Sequence, residues 1–292
     1  MLVKKLKRIG LLISFLCLSF WVSAQKVVPP ANTNPEWSKP YPPFQIAGNL
    51  YYVGTYDLAC YLIVTPKGNI LINTGLSDSA PMIRSNIEAL GFKFADIKIL
   101  LTTQAHFDHM GAMAAIKKLT GAKMMVDEGD AGVVADGGRS DYALGGNESA
   151  YAPVQIDRLL RNGDTIKLGG MQLVLLHHPG HTKGSCSFLF DVQDSTRSYR
   201  VLIANMPTIV TDKNFSDIAA YPNITKDYAY TLDAMKKLSF DIWLSSHASQ
   251  FGLQSKHKPG DGYNPGAFRD RKGYDTSINN LQDQFLKKIK GK

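Results

Sequence analysis

The blocks of this chain come in a fixed order: β-rich runs, helical runs, then β-rich and helical runs again. "LYYVG", "CYLIVTP" and "NILINTG" are short strand-like segments broken by turn residues. "SAPMIRSNIEALG" follows as a helix, with Ser79 placed as an N-cap and Gly91 as a stop. "IKILLTT" is an apolar strand, and "GAMAAIKKLTG" is the next helix. The second half opens with "DTIKLGGMQLVLLHHPG" and "SCSFLFDV…SYRVLIANM". It continues with the helix "DYAYTLDAMKKLSF", the strand "DIWLSSH" and a terminal helix "SINNLQDQFLKKIK". Two β-sheets packed face to face, with helices on both outer faces, would bury all of these in one body. At 44% hydrophobic and 20% charged, 292 residues can supply such a core. Two long stretches, "GDAGVVADGGRSDYALGGNES" and "SKHKPGDGYNPGAFRDRKGYD", read as surface loops.

The first two dozen residues stand apart. "MLVKKLKRIG" is a basic region, "LLISFLCLSFWV" an apolar run, and "VSA" before Gln25 a small-residue cleavage site. That order is expected of a secretory signal peptide over 1–24, leaving 25–292 as a single mature domain in the periplasm, no longer membrane-bound. The apolar run is shorter than the ~20 residues of a spanning helix. Lys4, Lys5, Lys7 and Arg8 leave with the peptide, taking the formal net charge from +8 to +4. The basic residues that remain form no patch beyond the tail "LKKIKGK", so a nucleic-acid partner is not expected. Cys60 and Cys186 remain in an oxidising compartment, and both pairing and burial as free thiols are open to them.

The chemistry concentrates where strands end. In "TTQAHFDHMG" a strand gives way to a helix, and His106, Asp108 and His109 fall within four residues. Imidazole nitrogens and a carboxylate oxygen are zinc donors. "HHPGHTKGS" places His181 after a Pro-Gly turn, and "DIWLSSHASQF" places His247 at the end of another strand. Histidines from distant segments, each where a strand runs out, predict one metal site built on sheet edges. His177 and His178 are expected to pack or to support that site rather than ligate, and His257, among lysines, is expected to be exposed.

The H-x-D-H after a strand, "PGHTKGS" and the late strand-end histidine together resemble the metallo-β-lactamase superfamily, and its subclass B3 most closely. The resemblance runs from "LYYVGTYDLACYLIVTPKGNILINTG" to "SSHASQF". Gln104 and "NMP" at 205–207 resemble the GOB-type branch, which has Gln in place of the first zinc-ligand histidine. The resemblance implies an α/β fold, the αβ/βα four-layer sandwich. It implies a first metal position of Gln104, His106 and His181, and a second of Asp108, His109 and His247. It also implies a monomer that opens the β-lactam ring of carbapenems, cephalosporins and penicillins with a zinc-activated hydroxide, conferring resistance. Asp108 is then both ligand and orienting base. Thr208 and Lys213 lie on the expected substrate side, where either would hold the β-lactam carboxylate. Met206 stands where many subclass members have a serine.

An amide oxygen is a poor zinc donor beside imidazole or carboxylate. The second position is therefore expected to bind zinc more tightly than the first. Thioesterases, lactonases and nucleases of the superfamily usually bridge two metals with an aspartate after "PGHT". The corresponding "VLIANMP" has no acid, which disfavours all three; a lactonase or other ring-opening hydrolase is the runner-up, and a non-catalytic zinc-binding relative the other alternative.

Overall fold

Period-two patterning in the first half has a double meaning, because both faces of the sheet are apolar. In β3 (Tyr61–Thr65), β4 (Gly68–Ile72) and β5 (Ile97–Leu101), residues Tyr61, Ile63, Ile70, Ile72, Ile99 and Leu101 enter the main core. Leu62, Leu71 and Leu100, between them, face a second core. That second core is closed by Ile83 and Ile87 of α1 (Ala80–Ala89) and by Met113 and Ile116 of α3 (Met113–Thr120). A strand buried on both faces needs helices outside it, which is why the apolar runs here are nearly continuous. This is a computed structural model, and it describes residues 26–291; the predicted leader lies outside the described residues.

The first sheet has seven strands in sequence order. It begins with β1 (Phe44–Ala47) and β2 (Leu50–Tyr52), antiparallel as far as β4, then parallel from β4 through β5 and β6 (Lys123–Asp127) to β7 (Arg158–Leu160). The second sheet runs β12-β11-β10-β9-β8. Its strands are β8 (Thr165–Leu168), β9 (Met171–His177), β10 (Cys186–Gln193), β11 (Ser198–Ala204) and β12 (Ile242–Ser245). The β11–β12 pair is parallel and is joined through α5 (Ile224–Lys236). Phe188, Phe190, Val201 and Ile203 meet the first sheet's inner residues in the main core. Tyr228, Leu232 and Met235 of α5 share that core with Tyr274, Ile278, Leu281 and Phe285 of α7 (Arg271–Ile289), each set spaced for one helix face. The architecture is the αβ/βα sandwich.

Three local expectations need correction. His257 is buried, not exposed: its ring stacks on Phe44 at 3.6 Å, and Tyr41 Oη donates to its carbonyl at 2.6 Å. Lys256 turns to Asp270 and Trp243, and the His257 ring joins an aromatic cluster with Phe44 and Tyr41. The stretch 129–149 is not simply surface loop. It contains α4 (Ala131–Ala135), coming after the four-residue α2 (Phe107–Met110), and it buries Val133, Val134, Asp130 and Asp141. The later stretch holds α6 (Leu253–Lys256), buried Phe268 and the true start of α7, where the Asp270 carboxylate accepts from Gly273 N at 2.8 Å. Ser79 does take the N-cap place of α1, without a side-chain capping bond. Cys60 and Cys186 are buried free thiols.

Candidate metal centre

The cluster is set by what holds the end of β5. Asn73, at the end of β4, adopts φ +62°, and its Oδ1 accepts from Thr103 N at 3.0 Å and from Thr103 Oγ1 at 3.2 Å. Thr74 donates from both N and Oγ1 to the His109 carbonyl, at 2.8 and 3.0 Å. The "LINTG" turn thus fixes both ends of the histidine loop. Gly111 is required by contact: a Cβ there would sit 2.4 Å from Leu76 C and Ser77 N. Thr103 also bonds the other sheet, its Oγ1 lying 2.8 Å from Ser246 Oγ, next to His247. Thr103 O accepts from Cys186 N at 2.9 Å, at the start of β10.

These ties bring five side chains, His106, Asp108, His109, His181 and His247, together at the rim between the sheets. His106 precedes α2 with extended backbone, so it diverges from Asp108 and His109 inside that helix. Asp108 Oδ2 lies 3.3 Å from both His109 Nε2 and His247 Nε2. Donor atoms of these three residues all fall within 4.8 Å of one another. His106 and His181 stand beside them with ring centroids 4.8 Å apart, and buried Gln104 belongs to the same loop.

Three of the rings, His247, His181 and His106, have a group behind one nitrogen, which fixes the tautomer and leaves the other nitrogen to face the centre. His247 Nδ1 is 3.0 Å from Asp57 Oδ2, which also accepts from Trp37 Nε1 at 3.0 Å. Asp57 Oδ1 is taken by Ser249 N at 2.9 Å. Trp37 lies over His247 with centroids 5.5 Å apart. His181 Nδ1 is 2.8 Å from the Thr208 carbonyl. His106 Nε2 is 3.4 Å from Asp141 Oδ2, an ion-pair distance rather than a well-formed hydrogen bond.

The electrostatics favour positive charge at the Asp108 cluster. Burial opposes a charged His247, but Asp108 and Asp57 outweigh it and push its pKa up to about 9. Burial would raise Asp108, yet His109 and His247 hold its carboxyl well below the usual range. His181, buried and beside His106, is pushed down to about 3. It is a neutral donor at any physiological pH.

The donor set fits zinc on the structure's own terms. Gln104 Oε1 and both ring nitrogens of His109 are buried without a hydrogen-bond partner. Leaving a buried polar atom unsatisfied costs about 1–3 kcal/mol, so several together at one point call for a ligand. His177 and His178 lie elsewhere: His177 Nδ1 pairs with Asp127 Oδ2 at 2.8 Å, and His178 Nδ1 with Ser187 Oγ at 2.7 Å. Thr208 Oγ1 is 3.0 Å from His181 Nδ1. The threonine also lines a cavity of about 190 Å³ with Met206, Gln250, Ser277, Asn280 and Leu281. Lys213 is on the exposed segment five residues further on. Sequence reading missed Trp37, Asp57, Asp141 and Tyr142. Trp37 in a Pro-rich segment and Asp57 between two apolar runs were the visible irregularities; nothing local marked Asp141.

A two-sheet sandwich with a rim of histidine, aspartate and amide donors defines a metal-dependent hydrolase. Residues 55–194 match the metallo-β-lactamase superfamily model. A class B3 di-zinc metallo-β-lactamase from an Alaskan soil metagenome, LRA-12, is 68% identical with a TM-score of 0.89, over 90% of this chain and 100% of that one. GOB-18 from Elizabethkingia meningoseptica is 58% identical with a TM-score of 0.91, over 92% and 100%. The chain belongs to the class B3 metallo-β-lactamases. Among curated relatives, a hydroxyacylglutathione hydrolase from Bradyrhizobium sp. is 29% identical over 131 residues. That match covers 45% of this chain and 42% of the relative, so the chain spans less than half the length of that protein.

Proposed function

We propose that this chain is a zinc β-lactamase of the GOB-type branch. It hydrolyses carbapenems, cephalosporins and penicillins, and so confers resistance. Its first metal position is Gln104, His106 and His181; its second is Asp108, His109 and His247. The observation that carries this is the set of buried, unpartnered donor atoms at the rim. Identity of 58% to GOB-18 and the glutamine at 104 support the branch.

Zinc bound here would supply Lewis acidity and a water acidified toward neutral pH. The chain does the rest. The Asp57 and Thr208 carbonyl contacts hold His247 and His181 with one lone pair facing the centre. Asp108, kept ionised by His109 and His247, would help hold the zinc and would accept a hydrogen bond from the water to orient it. Of Thr208 and Lys213, the threonine braces His181 Nδ1 from behind, and the exposed lysine is the one placed to hold the substrate carboxylate. Gln104, a neutral donor, makes the first position the weaker one.

The mature protein is a single domain, 25–292, a periplasmic monomer released by cleavage of 1–24, with a small-molecule substrate and no nucleic-acid partner. Among the described residues no helix is long and apolar enough to cross a membrane. Carbapenem absorbance followed with purified mature protein, after chelation and after zinc is returned, tests the proposal. Turnover that stops and resumes supports it; zinc-loaded protein that leaves every β-lactam intact would overturn it.

A further inference from the structure

The stretch 136–149, expected as surface loop, touches both histidines of the first metal position through two consecutive residues. Asp141 Oδ2 lies 3.4 Å behind His106 Nε2. The other oxygen, Oδ1, is fixed by Ala143 N at 2.9 Å and Leu144 N at 2.7 Å, so the carboxylate cannot swing freely. Tyr142 Oη lies within donating distance of the Gly180 carbonyl at 3.0 Å and the His181 carbonyl at 3.1 Å. The loop is closed on itself, with Gly145 N donating to Asp141 O and Gly146 N to Arg139 O, both at 3.1 Å. A Cβ at Gly145 would sit 2.2 Å from Asp141 O, so the closure depends on that glycine. The second position is supported from elsewhere, by Asp57 behind His247.

We infer that Asp141 and Tyr142 are positioning residues that set the zinc affinity of the first position. The inference rests on the assignment of Gln104, His106 and His181 to that position. An amide donor contributes little binding, so affinity there depends on how well the two imidazoles are oriented. A carboxylate facing His106 Nε2 holds the proton on that nitrogen and leaves Nδ1 as the donor. Tyr142 pins the backbone of His181, so a shift of the loop moves both imidazoles of the first position and neither of the second. The glutamine and the loop belong together: the weak donor makes occupancy sensitive to this clamp.

The test is zinc titration of the full mature protein against a competing chelator, paired with cobalt substitution and its visible spectrum. Asp141→Asn and Tyr142→Phe are expected to weaken the second equivalent of metal by about 10–100-fold and to alter its cobalt spectrum. The tighter equivalent should be unchanged in both, and Asp57→Asn should show the reverse pattern. Adding Gln104→His to Asp141→Asn should restore the second equivalent. Circular dichroism and thermal unfolding identify any variant that misfolds, in which case the remaining one decides. Equal weakening of both equivalents, or of neither, would overturn the clamp. His106→Ala separates the two ideas. If the weaker equivalent persists in it, the assignment of the first position fails and the clamp with it. If that equivalent vanishes in His106→Ala but survives in Asp141→Asn and Tyr142→Phe, only the clamp fails. Wild-type protein that takes one metal at every concentration overturns both.

Discussion

Asp57→Asn is the most informative single change at the second metal position. Burial would raise the Asp57 carboxyl, but hydrogen bonds from His247 and Ser249 hold it down at about 2, against an ordinary 3.8. A difference of about two pKa units is about 2–3 kcal/mol at 1.36 kcal/mol per unit. That energy, shared with Ser249, belongs to the metal-free pair. Behind a metal-bound histidine, the loss of such a partner typically costs ~10–100-fold in metal affinity. The stereochemistry sharpens the case. If the new amide turns its oxygen to His247 and Trp37, its NH₂ meets the Ser249 N–H that now bonds Oδ1. If it turns the other way, its NH₂ faces His247 Nδ1, which must accept, and the ring proton moves to Nε2. That nitrogen, 3.3 Å from Asp108 Oδ2, is the one the metal needs. Chelator competition should show the tight equivalent weakened ~10–100-fold with the fold intact. Unchanged affinity of that equivalent would refute the reasoning.

Gln104→His should convert the weaker metal equivalent into a tight one, because imidazole replaces a neutral amide oxygen; unchanged binding in a zinc titration would count against the assignment. Zinc affinity should rise with pH between 6 and 8. His247, pushed up to about 9, carries a proton that metal must displace, giving about a tenfold gain per pH unit for one proton, and a flat chelator-competition profile would contradict this. Gly111→Ala should cost about 1–3 kcal/mol by overpacking against Leu76 and Ser77, visible as a lower melting temperature; a neutral effect would show that the loop can shift.

Much of this protein is written in local pattern. The succession of strands and helices along the chain, and the two sheets with helices outside them, follow from periodicity and turn residues. The donors His106, Asp108, His109, His181 and His247 were visible because each stands where an apolar strand stops, and an ionisable side chain there has a reason to be conspicuous. What lies behind those donors was not legible. Asp57 and His247 are 190 residues apart, and Asp141 meets His106 from a glycine-bearing loop closed on itself, 35 residues further along the chain. His257 misled for the same reason: its neighbours in sequence are lysines, while its neighbours in space are aromatic rings. Sequence by itself determined which chemical groups reach the rim, because periodicity fixes where strands end. Only the tertiary structure decided which nitrogen of each ring faces inward, because a tautomer is chosen by the group across the gap, and that group comes from a distant segment.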